Sequence, residues 1–130
     1  MELLLPPNWP RPKGYSNGVL TAGRIVFVAG QVGWNESGLF ETEDFAAQVR
    51  QALVNVVAVL AEGGAKPTHI ARMTWYITDK VEYHLRRAEV GEIYREVIGN
   101  HYPAMSMVVV QGLIEDQAKV EIEVTAVIPE

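Results

Sequence analysis

Glu121 and Glu123 stand two apart in a segment, Lys119 to Ile128, whose side chains alternate between apolar and polar, so a strand there presents both carboxylates to one face. Two nearby carboxylates can in general split their pKa values, and one of such a pair then serves as a general acid or base. A solvated strand face, or pairing with Arg72 or Lys119, accounts for the same pattern, and the residues alone favour that plainer account. Tyr15 and Ser16 form a second candidate within Gly14-Tyr15-Ser16-Asn17-Gly18. The glycines there mark a tight turn, and hydroxyls in such turns usually serve the turn itself. His69, His84 and His101 lack the paired spacing of a metal site, the chain has no cysteine, and neither a phosphate-binding glycine loop nor a nucleophile elbow occurs. No metal is expected.

Positioning any of these groups requires a core. With 130 residues, 48% of them hydrophobic and 21% charged, the chain has the size and composition of one domain spanning residues 1–130. A chain of this length can bury roughly 65–70% of its unfolded surface. The formal net charge of −5, with no run of lysine or arginine, argues against a nucleic-acid binder or a partner of acidic membranes. Leu3 to Leu5 are stopped by Pro6 and Pro7, far short of a signal peptide, and no apolar run approaches the roughly 20 residues of a membrane helix. A soluble, cytoplasmic protein is the expectation.

Four of the seven prolines fall before residue 15, so the first segment is extended or irregular and lies across the surface. Val19 to Val32 reads as a short strand, a turn at Gly23-Arg24, and a strand from Ile25 to Val32 that is apolar on both faces and therefore central. Thr42 is the candidate cap of a helix with Glu43 and Asp44 in its first turn, carrying Phe45, Val49, Ala52, Leu53, Val56 and Leu60 at helical spacing as far as Gly63-Gly64. His69 to Thr78 alternates as a strand. Asp79 to Glu82 resembles a capping box opening a second helix that ends at Gly99-Asn100, with Gly91 as its weak point. Met105 to Val110 and Lys119 to Ile128 close the chain as a hairpin. The order predicts an α+β layer, with two helices on one face of a mostly antiparallel sheet.

Two helices cover only one face. The other carries Thr74, Tyr76, Glu121, Glu123 and one set of aliphatic side chains from the apolar strand, a mixture too apolar to stand in water. Oligomerisation around that face, with polar-lined clefts between subunits, is the simplest solution.

Six segments carry a further signal: Gly14-Tyr15-Ser16-Asn17, Ala29-Gly30-Gln31, the helical run Gln48 to Asn55, Tyr76-Ile77-Thr78-Asp79, Pro103-Ala104-Met105-Ser106, and Val120-Glu121-Ile122-Glu123. Together, and in order along nearly the whole chain, they resemble the RidA/YjgF family of reactive-intermediate deaminases, whose own versions of the first two read Gly-Pro-Tyr-Ser-Gln and Ser-Gly-Gln. The resemblance implies a chorismate-mutase-like fold, a homotrimer around a β-barrel-like core, and small-molecule clefts between subunits. It implies that Glu121 positions or deprotonates water, that Tyr15 orients the ligand, and that Ser16, Gly30, Gln31, Met105 and Ser106 line the cleft.

The chain departs from that pattern at Met105, where deaminating members carry an arginine that holds the substrate carboxylate. A thioether offers neither charge nor donor, whereas arginine provides a bidentate, permanently charged fork. The second helix, Arg87-Ala88-Glu89-Val90-Gly91, also lacks the family's asparagine-containing pattern. The functional expectation is hydrolysis of an imine or enamine not anchored by the usual arginine, favouring neutral or differently anchored ligands over small 2-oxo acids. No metal or organic cofactor is needed, since a protonated C=N carbon is already electrophilic. The alternative is a noncatalytic metabolite-binding or protein-interaction trimer. Ribonuclease activity is disfavoured by the acidic balance and by the lack of a basic, aromatic-interleaved groove.

Overall fold

The computed structural model describes residues Met1–Glu130. Strands β1 (Glu2–Leu4), β2 (Gly18–Leu20) and β3 (Arg24–Val32) precede helix α1 (Phe45–Glu62). A 3-10 turn (Pro67–His69) leads into β4 (Ile70–Ile77), then helices α2 (Lys80–Leu85) and α3 (Arg87–Val97), and finally β5 (Ala104–Val109) and β6 (Val120–Ile128). The proline-rich start is extended as expected, and its first residues pair antiparallel with β2 as a small separate sheet.

The main sheet runs in the order β3-β6-β4-β5. Its centre is therefore β6 and β4, the two segments whose alternation is strongest. Val120, Ile122, Val124 and Ala126 of β6 and Met73, Trp75 and Ile77 of β4 are buried beneath the helices. They meet Phe45, Val49, Leu53, Val56 and Leu60 of α1 and Val90, Ile93 and Tyr94 of α3 in one continuous core. Each fully buried aliphatic side chain there contributes roughly 1.5–3 kcal/mol. At 18 residues, α1 is long and apolar enough to resemble a membrane span, but its apolar stripe is the centre of this core.

Four expectations need correction. First, β3 is an edge strand, not a central one: only β6 pairs with it, and its outward residues Ile25 and Phe27 are 57% and 76% exposed. Apolar residues on both faces of a segment report that both faces become covered, and an assembly can do this as well as neighbouring strands can. Second, β5 and β6 form no hairpin. β5 pairs parallel to β4, because the two short helices between them make a crossover, and β6 then inserts antiparallel on the other side of β4.

Third, the cap of α1 is Asp44, whose carboxylate accepts the Ala47 N–H at 2.9 Å, while the Thr42 hydroxyl accepts the Asp44 N–H one step earlier. Glu43 and Asp44 thus precede the helix. Fourth, the second helix divides at Arg86 and not at Gly91, giving three helices in place of two. Arg86 leaves helical geometry (φ −104°, ψ 13°). Its guanidinium is held at 2.9 Å by Asp44 and at 3.0 Å by Glu89, which fixes the corner. The Asp79 cap of the first piece is as expected, accepting the Glu82 N–H at 3.0 Å.

Candidate functional site

The sheet has two unlike edges, and the candidate residues divide between them. At the β3 edge the ladder with β6 shifts register between Val28 and Gln31, so the strand bulges at Gly30. The half-buried Glu121 side chain lies across that bulge. A Cβ built at Gly30 would fall 2.5 Å from the Glu121 carboxylate and 2.9 Å from its Cγ, so only glycine leaves the carboxylate where it is. Gln31 turns its amide back to the Ala29 carbonyl at 2.9 Å.

The two glutamates of β6 share a face as the alternation required, but their surroundings differ. Glu123 accepts the Tyr76 hydroxyl at 2.6 Å, and this bond raises the Tyr76 pKa above its ordinary value. Glu121 accepts no hydrogen bond within the chain. Neither carboxylate pairs with Arg72 or Lys119, and the Lys119 ammonium instead lies 3.9 Å from Glu82. Glu121 is the unoccupied carboxylate of the pair.

Tyr15, Ser16, Met105 and Ser106 gather at the opposite edge, on and beside β5. Ser16 is buried and structural: its N–H donates to Pro103 at 2.9 Å, its hydroxyl donates to the Tyr102 carbonyl, and it bridges to Ala104 in parallel. That latch presents the neighbouring Tyr15, 42% exposed, to a groove. Met105 and Ser106 are adjacent and so face opposite ways. Met105 is half-buried on the helix side, opposite Met73, and Ser106 is exposed on the far side, opposite Thr74. Within one chain, then, Tyr15 and Met105 share a groove, whereas Glu121, Gly30, Gln31 and Ser106 do not reach it.

The groove, about 490 Å³, lies between α3, β4, β5 and the Gly14-Tyr15 segment. Residues not singled out from the sequence supply most of its character. Tyr94 donates its hydroxyl to the His101 carbonyl at 2.7 Å and stacks on Tyr102 with ring centroids 5.5 Å apart. Burial pushes the Tyr94 pKa well up, so it remains a neutral donor. Lys13, Arg87 and Arg95 also line the groove. A basic, aromatic hollow therefore exists, contrary to the reading of the sequence, because its members come from four distant stretches and no local run announces them. The helical spacing of Arg87 and Arg95 was the available signal.

No three acidic or imidazole groups converge as a metal site. His69 accepts the Lys66 N–H at 3.0 Å, and His101 lies 2.7 Å from the Ile70 carbonyl.

The family model described as Endoribonuclease L-PSP matches residues 9–128. A RutC family protein of Aquifex aeolicus is 37% identical over 130 residues, covering 98% of this chain and 99% of its own. The chain belongs to the RidA/YjgF family. Within that family, a Rid protein of unknown function from Yersinia pestis, YyfB, matches with a TM-score of 0.86 at 30% identity, covering 98% of both chains. E. coli TdcF with bound serine matches with a TM-score of 0.69 at 32% identity, covering 98% of this chain and 99% of its own. A human 2-iminobutanoate/2-iminopropanoate deaminase is 28% identical over 114 residues, covering 87% of this chain and 79% of its own. The α+β fold described above is the chorismate-mutase-like fold of the RidA/YjgF family.

Proposed function

We propose that this chain is a homotrimeric, cytoplasmic Rid protein that hydrolyses a small imine or enamine in clefts between its subunits. One observation carries the reading: the Glu121 side chain of central β6 reaches over Gly30 of the edge strand β3, and Tyr15 with Met105 stands at the opposite edge of the sheet. Unlike edges associate head to tail, and a head-to-tail contact that closes on itself makes a ring. In such a ring the β3 edge of one subunit meets the β5 edge of the next, uniting the two half-sites. The same closure covers Ile25 and Phe27, whose exposure would otherwise cost the apolar face its shelter. The human relative's deaminase activity and the serine held by TdcF support a small nitrogenous ligand.

Glu121 takes a proton from water as the water oxygen bonds to the C=N carbon, and the imine nitrogen gains a proton to give a carbinolamine. Collapse of the carbinolamine expels ammonia and leaves the carbonyl, so imine plus water yields carbonyl compound plus ammonia. An enamine enters by the same route after a proton adds to its β-carbon. Glu121 suits the role better than Glu123, whose oxygen is committed to Tyr76. Tyr15 orients the ligand, and no metal or organic cofactor is required.

Ammonia release from a panel of freshly generated imines and enamines tests this. Glu121→Gln should abolish turnover of any accepted substrate, because the amide cannot accept the proton, and Glu123→Gln should retain it. Equal loss in both variants, or none at Glu121, refutes the assignment. Met105 in the family's arginine position favours a second reading, a noncatalytic metabolite-binding trimer. Silence across the panel, with a ligand bound in the cleft, selects it.

A further inference from the structure

The groove beside β5 carries a charge that the rest of the chain does not suggest. The formal net charge is −5, yet the groove's lining holds three cations, Lys13, Arg87 and Arg95, and no carboxylate. None of the three makes an ion pair; the chain's ion pairs use Arg50, Arg86 and Lys119 instead. Arg87, Gly91 and Arg95 are spaced four apart along α3 and so lie on one face of it. Gly91 leaves that face bare, and a Cβ there would sit 3.4 Å from the Arg95 guanidinium, so Arg95 lies across the gap.

A second observation is independent of charge. The indole N–H of Trp75, in the same lining, has no hydrogen-bond partner although the residue is only 1% exposed. A buried donor left unpaired costs roughly 1–3 kcal/mol, which a ligand acceptor recovers by displacing the side chains that cover the nitrogen. The remaining walls are flat or soft: the stacked Tyr94 and Tyr102, with Met105 and Met107. Methionine sulfur packs well against aromatic rings.

We propose that this groove binds a compact anion, carboxylate or phosphate, carried on a flat apolar body, with Arg87, Arg95 and Lys13 holding the anion and the Trp75 N–H donating to a further acceptor on the ligand. The anion anchor thus stands on α3 in place of the strand position now filled by Met105, and Met105 contributes to the apolar wall. The proposal rests on the reading above only in setting this ligand within the same cleft. Of the neutral or differently anchored ligands expected from the sequence, it takes the differently anchored kind, since cations other than the missing arginine line the groove. Arg72, on the far face among Phe27, Thr74 and Glu123, is not one of them.

Titration calorimetry on the full chain with phenylpyruvate, phenylacetone and pyruvate separates the parts. Phenylpyruvate should bind about tenfold or more tighter than phenylacetone, which lacks the anion, and than pyruvate, which lacks the flat body. Arg87→Gln and Arg95→Gln should each weaken phenylpyruvate about tenfold and leave phenylacetone unchanged. The Trp75 indole proton, assigned with Trp75→Phe, should move downfield on binding. Phenyl phosphate run beside phenylpyruvate identifies which anion is preferred. Equal binding of phenylpyruvate and phenylacetone, or arginine variants without effect, overturns the proposal, as when a neighbouring copy's carboxylates already neutralise the cations. Tighter, arginine-dependent binding of a short single-stranded RNA than of either aromatic anion overturns it in favour of a polyanion. These titrations need no turnover, so a chain that binds phenylpyruvate and hydrolyses no imine upholds this proposal while refuting the catalytic reading.

Discussion

Replacing Gln48 with leucine should be among the most damaging single changes outside the apolar core, although the substitution adds hydrophobicity to a buried helix face. Gln48 is fully buried. Its amide donates to the carbonyls of Thr42 at 3.1 Å and Gln117 at 2.9 Å, and its oxygen accepts the Lys119 N–H at 2.9 Å. One side chain thereby ties the entrance of α1 to the loop that feeds β6, two residues before Glu121. Leucine strands all three backbone groups. An orphaned buried donor or acceptor costs about 1–3 kcal/mol, carbonyls at the lower end, and the extra apolar burial returns about a third of the total. A net loss of about 3–5 kcal/mol corresponds to a fall in Tm of roughly 10–20 °C for a chain of this length.

Thermal unfolding followed by circular dichroism measures it, and hydrogen exchange should show lost protection first around Lys119. Gln48→Glu sharpens the test. Its carboxylate faces two carbonyl oxygens, which raises its pKa in the folded state. The penalty should therefore be larger at neutral pH and shrink as the solution is acidified and the group takes up a proton. A Tm loss under about 3 °C in Gln48→Leu would refute the reasoning, since it would mean that water or backbone relaxation satisfies the three groups at little cost.

Three other outcomes are expected. Gly30→Ala should lower turnover about a hundredfold while moving Tm by only a few degrees, because the carboxylate it displaces is the flexible end of Glu121 and a shift of about 1 Å suffices; unchanged turnover in the imine assay counts against a role for that carboxylate. Phe27→Asp should convert the trimer to monomers by light scattering, since an exposed position tolerates the charge in one chain but an assembled interface does not, and a persisting trimer would mean that Phe27 lies outside the contact. Asp44→Asn keeps a capping oxygen but loses the charge paired with Arg86. That bond is the largest cause holding the Asp44 pKa below its ordinary value, so the stabilisation is present above the unfolded carboxylate range and is lost as pH falls through the depressed folded value. Wild type should exceed the variant by less than about 1 kcal/mol at neutral pH and converge with it in strong acid, and a gap unchanged across that range rules out the ion pair as the cause.

The elements whose chemistry is local were legible in the sequence. Alternation in β4 and β6 and the 3.6-residue stripe of α1 each report burial of one face, a property of the segment itself, and the shared face of Glu121 and Glu123 follows from the same period. The ordered segments from Gly14-Tyr15 to Glu121 were specific enough to indicate the family. Pairing partners were not legible. That β5 runs parallel to β4, that β3 lies at an edge, and that the second helix turns at Arg86 all depend on contacts between residues far apart in the chain, such as Arg86 with Asp44. The basic groove was hidden for the same reason: Lys13, Trp75, Arg87, Arg95 and Tyr102 share no local pattern and become neighbours only when α3 packs over β4 and β5. Side-chain periodicity fixes which way a residue faces within its own element, but what it faces is set by long-range packing, and there the tertiary structure alone decided that Glu121, on central β6, lies over Gly30 of one edge strand while Met105 stands on the other edge strand, towards the helices.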